Sequence, residues 1–349
     1  MMASAFRELL DDVCLPASIR TAFEGRSDES HARWSRIVEM GLPGTLAPET
    51  AGGLGLQDVD FVLIAEEAGR AVLPEPVVEH AGVAVPLLTD LAGVSTAAAA
   101  LLARAASGEC RVAVVHPRNA FVLDADRASH LVVCTDDEIH LVESDARFLV
   151  REPSIDALRR LFSVDATLSA ETRIASGASA LAAAARALER GAVYAAAQCL
   201  GLTERMVAIA VEYAKTRSQF GHPIGSYQAI KHHLATVQVK LEFARPVVYA
   251  AVTRVRDLDA RALAAVSHAK LAAADAAELA ARTAMQVHGA MGYSWEVDLH
   301  FYMKRAWSLA GAWGDRNFHA RRLQGLLFED RVAIGPDRTF ERNTEGTTP

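Results

Sequence analysis

From Val193 to Ala214 the apolar positions recur in steps of three, four and seven: Val193, Ala197, Leu200, Val207, Val211 and Ala214. That spacing puts them on one face of a helix. No proline interrupts the stretch from Gly177 to Arg217, so a single long helix is predicted there. Beyond a loop, Ile230, Leu234, Val237, Leu241, Ala244 and Val248 step 4-3-4-3-4, close to a heptad seam. A third helix is predicted over Ala260 to Val287, rich in small residues that permit close approach, and a fourth over Leu299 to Ala310. Long helices joined by short loops predict an up-down four-helix bundle.

The chain before this bundle has two other textures. Residues 1–108 read as helical: His31 to Met40 carries Trp34, Ile37 and Val38 on one side, and Asp58 to Ala71 carries Phe61, Ile64, Ala65 and Ala68 at helical spacing. A glycine-rich loop with Pro43 and Pro48 lies between them, Pro74 and Pro76 break the chain, and another apolar helical stretch runs to Arg104. Residues 109–174 change period. CRVAVVH, AFVLDA, HLVVCT, EIHLVE and RFLVRE are short β-branched runs split by turn residues, which predict a small antiparallel sheet. The fold expected is therefore mainly α with a small β domain. An N-terminal helical domain (1–108) precedes a short middle β domain (109–174) and a C-terminal four-helix bundle (175–333), with a loose polar tail at 334–349.

Composition narrows the function. A hydrophobic fraction of 51% and a charged fraction of 23% exclude a disordered or fibrous chain. The frequent alanine runs favour helix. The net charge of −7 argues against a nucleic-acid partner, which would call for a basic excess. No apolar run reaches the roughly 18 residues of a membrane span. The first residues, MMASAFRELLDD, are amphipathic and acidic without a signal peptide's apolar centre, so a cytoplasmic location is expected. Cys14, Cys110, Cys134 and Cys199 form no CxxC pair, and free, mostly buried thiols are expected. His232 and His233 lack the i, i+4 spacing of a metal pair, and His300 and His319 carry no signal, so no metal site is expected.

Two stretches carry candidate chemistry. TRSQFGHPIGSYQ, residues 216–228, sets Arg217, Gln219 and Phe220 at the end of the first long helix and Gln228 at the start of the second. Arg217 offers a planar fork suited to phosphate, and Phe220 a flat face for a ring. An interhelical turn with an exposed Arg and a core Phe satisfies the same spacing. MQVHGAMGYSWE, residues 285–296, places Gln286, His288, Gly289 and Ala290 where the third helix ends. Small residues there admit a ligand close to the backbone, although a glycine C-cap followed by a turn explains them equally.

Together the two stretches resemble the acyl-CoA dehydrogenase family. Its R-x-x-F-G-x-x-I-x-x-x-Q loop is matched by Arg217, Phe220, Gly221, Ile224 and Gln228. Its Q-x-x-G-G-x-G-Y segment is matched by Gln286, Gly289, Gly292 and Tyr293, with Ala290 in place of the second glycine. Near the start, Gly41, Leu42, Pro48, Glu49, Gly52, Gly53, Gly55, Glu66, Glu67 and Gly69 are similar to the family's GL…PEEYGGLG…EEAG run. The resemblance covers nearly the whole chain. It implies the three-part fold already read from the pattern, α,β-dehydrogenation of an acyl-CoA thioester, and FAD bound between subunits. It also implies that Arg217, Gln219, Phe220, Gln228, Gln286, His288, Gly289 and Ala290 contact the pyrophosphate and adenine end of FAD, and that electron-transfer flavoprotein or a similar acceptor takes the electrons.

The family's catalytic base is a Glu in one of two places. Counting from Gln286 to the family's Y-E-G-T segment reaches Trp313, with Asp315 two residues on. Counting back from Gly221 to the alternative place in the first bundle helix reaches Gly191. Glu189 is close in number, but two residues turn a helix by about 200°, so it points elsewhere and reads as a solvated helix charge. Neither usual base is in register, and Asp315 is the weak candidate that remains. The middle domain lacks the family's flavin-ring segments, M-T-E-P-x-A-G-S-D and W-x-T-N, between Cys110 and Thr172.

This combination resembles the shorter subunits of actinobacterial heteromeric acyl-CoA dehydrogenases. Those are α2β2 assemblies with flavin at the unlike interface, several of which act on CoA thioesters of steroid side chains. The expectation is a subunit whose longer partner supplies the Glu and the flavin-ring site. A self-sufficient homo-oligomer using Asp315 as base and a non-catalytic structural subunit are the rivals.

Overall fold

The computed structural model describes residues 2–26, 29–329, 331 and 332, so the tail expected at 334–349 lies outside the described residues. The N-terminal part holds α1 (Met2–Val13), α2 (Pro16–Phe23), α3 (Ser30–Glu39) and α4 (Asp58–Arg70). The short α5 (Val77–Glu79) passes through a π-helical turn, His80–Ala84, into α6 (Val85–Leu91), and α7 (Thr96–Ala106) follows. Helix α4 crosses the bundle closely. A Cβ on Gly69 would lie 2.2 Å from the Gln198 carbonyl oxygen, and one on Gly201 would lie 1.9 Å from that of Glu66. The glycine of the EEAG run is thus a packing requirement. Its glutamates are ion-paired: Glu66 to Arg245 of the bundle, and Glu67 to Arg7 of α1 and to Arg70 of its own helix.

The middle domain is β1 (Val112–Val115), β2 (Val122–Leu123), β3 (His130–Cys134), β4 (Glu138–Glu143), β5 (Leu149–Glu152), β6 (Leu161–Val164) and β7 (Arg173–Ser176). It forms two sheets, β1-β3-β4-β7 and β2-β6-β5, where the sequence pattern suggested one. Pairing is antiparallel except between β1 and β3, which run parallel. Strands β6 and β7 went unread because FSV and RIA are too short and too polar at their flanks to show alternation. Ala113, Leu131 and Val133 of one sheet close a small core with Val122 and Phe162 of the other.

The bundle is α8 (Gly177–Thr216), α9 (Gln228–Val252), α10 (Ala260–His288) and α11 (Leu299–Gly311), joined by α12 (Arg316–Phe328). A short hairpin, β8 (Ser218–Gln219) and β9 (His222–Pro223), bridges α8 and α9. The seam read on α9 is real: Val237, Leu241, Ala244 and Val248 are buried. Helix α8 departs from the single stripe expected. Every residue from Ala187 to Thr203 is buried, because α4, α9, α10 and α11 all pack on it. Glu189 is therefore not solvated. It is buried and held by a two-point ion pair from Arg322 of α12, at 2.5 and 2.9 Å.

The middle domain is pinned to its neighbours by polar contacts. Buried Asp156 pairs with Arg305 of α11, and Arg159 donates to the Ser308 hydroxyl at 2.8 Å. His80 accepts from the Val112 N–H through Nδ1 and donates to the Ala105 carbonyl through Nε2, both at 3.1 Å. The four cysteines are unpaired, three of them buried.

Candidate functional site

Helices α8 and α10 finish side by side, which brings the two candidate stretches to one end of the bundle. Tyr213, one turn before Arg217, stacks on His288, the last residue of α10, with ring centroids 4.2 Å apart and planes at 26°. Beyond Tyr213 the chain turns through the β8–β9 hairpin. Its two-residue tip is Phe220 and Gly221, at φ +53° and +84°. Two left-handed residues match the right-handed twist of flanking strands, but the first position normally takes Asn, Asp or Gly. A Phe there is strained by about 1–2 kcal/mol. Nor is it a core residue, since Phe220 is 91% exposed. The hairpin itself is firm: the Ile224 N–H donates to the Arg217 carbonyl at 2.8 Å, and the Tyr227 hydroxyl donates to that of Gln219 at 3.0 Å.

Arg217, Gln219, Gln228, Gln286, Gly289 and Ala290 are all exposed at this end. The Arg217 guanidinium has no ion-pair partner among the described residues. Gly289 takes φ +58° as the chain leaves α10 for a 3-10 turn over Gly289–Tyr293. His288 is different. It is buried, its Nδ1 donates to the Ala284 carbonyl at 2.7 Å, and burial pushes its pKa down. It is a neutral ring inside the joint and offers no charge to a phosphate.

The second region lies where the middle domain meets α8 and the turn between α11 and α12. Trp313 is buried there, at φ +57°. A Cβ on Gly191 would lie 2.1 Å from its indole. The two positions reached by separate counts along the sequence are thus in contact, one a glycine and the other the indole that covers it. The loop after β1 seals the contact: Asn119 Oδ1 accepts from the Trp313 N–H at 2.6 Å, and the His116 ring lies 5.8 Å from the indole. From behind, buried Lys270 donates to the carbonyls of Leu309 and Ala310, each at 3.0 Å, and of Gly314 at 3.3 Å. His319 Nε2 donates to the Trp313 carbonyl at 3.0 Å, while its Nδ1 meets the Ser267 hydroxyl that also accepts from Arg322. Sequence reasoning passed over Lys270 and His319, because nothing in their spacing separates a buried polar residue from a surface one.

Asp315 is exposed and serves as the N-cap of α12, its carboxylate accepting from the Phe318 N–H at 2.8 Å. Beside Trp313 a cavity of about 260 Å³ remains, bordered by Glu79, Arg111, Asp124, Arg159 and Ser308. It falls below the roughly 300–1,000 Å³ of ordinary ligand pockets. A three-ring flavin and a thioester do not fit there together.

Comparison with known proteins agrees with this architecture. Residues 1–109 match the acyl-CoA dehydrogenase N-terminal domain, and residues 176–324 match the acyl-CoA dehydrogenase C-terminal domain. The acyl-CoA dehydrogenase IpdE2 of Mycobacterium tuberculosis is 31% identical over 316 residues, covering 90% of this chain and 92% of that protein. This chain belongs to the acyl-CoA dehydrogenase family, flavin-dependent oxidoreductases whose cofactor is FAD. Among solved structures, a variant of the Tcur3481-Tcur3483 steroid ACAD superposes with a TM-score of 0.80 at 24% identity, covering 95% of this chain and 98% of that one. The ChsE4-ChsE5 complex from Mycobacterium tuberculosis gives 0.79 at 22% identity, with coverage of 95% and 97%. At those identities the two structures support the fold. Among the described residues no helix is long and apolar enough to cross a membrane.

Proposed function

We propose that this chain is the subunit of a heteromeric acyl-CoA dehydrogenase that grips the adenine and pyrophosphate end of FAD, while a longer partner subunit holds the flavin ring and supplies the catalytic Glu. The observation that carries this reading is the Gly191–Trp313 contact. Both places where the family keeps its carboxylate are filled, one by hydrogen and the other by an indole with no basic group. The bare end of the bundle supports the other half of the proposal. A strained, 91% exposed Phe220 beside an unpaired Arg217 is costly in a scaffold and useful against a ring and a phosphate.

FAD, when bound, accepts the β-hydride of the acyl thioester. This chain's own residues bind and orient: Arg217 holds a phosphate, Phe220 covers a ring face, and Gln219, Gln228 and Gln286 offer amide hydrogen bonds. Asp315, already committed to the α12 cap, is not the base. The steroid ACAD among the structural neighbours supports a CoA thioester of a steroid-derived acid as substrate, with electron-transfer flavoprotein or a similar carrier as acceptor. Four unpaired cysteines accord with a reducing, cytoplasmic location.

The test is the visible absorption spectrum of the chain purified alone and then with its partner subunit. The chain alone is expected to hold little flavin, and the pair to be yellow and active. A stoichiometric yellow homo-oligomer that turns over acyl-CoA refutes the proposal.

A further inference from the structure

Phosphate and ring contacts need two chain segments held at a fixed separation, and the hairpin and the 3-10 turn share no direct hydrogen bond among those described. Between the ends of α8 and α10, the helices that carry them, one pair of rings is stacked. Tyr213 and Arg217 are four residues apart, so the ring sits one helical turn behind the guanidinium on the same face of α8. His288 is the last residue of α10 and immediately precedes Gly289, where the backbone swings to φ +58°. The rings stack at 4.2 Å, and the Tyr213 hydroxyl reaches the His288 carbonyl at 3.5 Å. The imidazole Nδ1 also donates to the Ala284 carbonyl at 2.7 Å.

We infer that Tyr213 and His288 are a positioning pair: their stack sets the distance between Arg217 and the Gln286–Ala290 turn, and so tunes the grip on the diphosphate half of FAD without touching it. The inference rests on the cradle reading proposed above. His288 then acts through its neighbours, and a ring of similar shape without ionisable nitrogen serves as well. Helix ends fray when such a contact is lost, and a fork displaced from its phosphate loses most of its two-point geometry.

The experiment titrates ADP, as the probe of the cradle, into the full-length chain by calorimetry, with thermal unfolding recorded for every variant. Tyr213→Leu and His288→Ala are each expected to weaken ADP binding about three- to tenfold, from the strength of an aromatic pair. Tyr213→Phe and His288→Phe are expected to restore it. In an Arg217→Ala background Tyr213→Leu is expected to have little further effect, because the ring acts through the guanidinium. A structural role alone would lower the melting temperature without that dependence on Arg217. If Tyr213→Leu fails to fold, His288→Ala reads the same joint from the other helix. Unchanged affinity in the leucine and alanine variants, or an equal loss with and without Arg217, overturns the inference and leaves the cradle standing. If the wild-type chain binds no ADP, or Arg217→Ala does not weaken binding, the cradle reading itself falls.

Discussion

The exposed end of the bundle and the seam at Trp313 are built from opposite materials. At the exposed end, the Arg217, Gln228 and Gln286 side chains stand without partners among the described residues, and a Phe is held bare in a left-handed conformation. At the seam, the groups packed around the indole are paired inward: Asn119 and His319 to its backbone, Lys270 to three carbonyls, Arg322 to Glu189. Unsatisfied groups are tolerated where a ligand or partner will cover them, whereas satisfied ones mark a structure that is already complete. The difference separates what this chain offers to others from what it has closed to itself.

The seam should yield the largest effect on stability. Trp313→Ala removes a buried indole that nothing else can replace, because Gly191 has no side chain to relax into the gap. A loss of about 3–5 kcal/mol is expected from denaturant unfolding. Trp313→Gly should be less damaging by about 1 kcal/mol, since glycine takes φ +57° without strain. If both substitutions are nearly neutral, the indole is no plug and the contrast between the two regions fails.

At the exposed end the expected loss is in binding. Arg217→Ala should cost about 1.5–3 kcal/mol of interaction with a phosphate, a ten- to hundredfold loss of FAD affinity in the assembled enzyme. The fold should be unaffected, because the guanidinium has no partner among the described residues. Unchanged flavin content would show that the hairpin faces something else.

How legible each region was follows from the same contrast. The motif residues of the exposed end could be named from the sequence because arginine, glycine and glutamine stand in the fixed register of a family motif, and the structure brings them to one exposed end. His288 stands apart from them for a physical reason. Its place inside the motif suggested contact, but only the structure shows the ring turned inward against Tyr213. The seam was half legible. Counting reached Gly191 and Trp313 separately, and the absence of a carboxylate at both was visible. Their contact was not, since 121 residues, including the whole of α9 and α10, lie between them. Glu189 reads as a surface charge from the sequence because the spacing on α8 shows only one buried stripe. No local pattern reveals that four helices enclose its middle.

The seam should also respond to pH. Burial pushes His319 down to about 3, so the folded state holds the neutral ring and its bond to the Trp313 carbonyl. The stability this gives is fully present above pH 6.5, the ordinary histidine value, and is lost as pH falls toward 3. His319→Gln cannot titrate. The advantage of wild type over that variant should therefore shrink by about 1.4 kcal/mol per pH unit as pH falls from 6.5. Chemical denaturation at pH 7.5, 6.5 and 5.5 reads it. A constant gap between the two proteins would mean that His319 titrates normally and that the seam is open to water.

The smallest expected effect is the sharpest test of where the chemistry lies. Asp315 is the one carboxylate within two residues of Trp313. Asp315→Asn removes its charge while keeping its shape, and asparagine caps a helix about as well as aspartate, so α12 should keep its start and the fold its stability within a few tenths of a kcal/mol. The assembled enzyme should keep its rate within a few-fold, because the carboxylate is exposed and already accepts from the Phe318 N–H. A general base contributes about 10²–10⁴-fold. A loss of a hundredfold or more, with flavin still bound and the melting temperature unchanged, would therefore place the base on this chain. In that case the α11–α12 turn must open in the assembly to bring Asp315 to the thioester, and the sealed seam would be one state of a moving part rather than a finished wall.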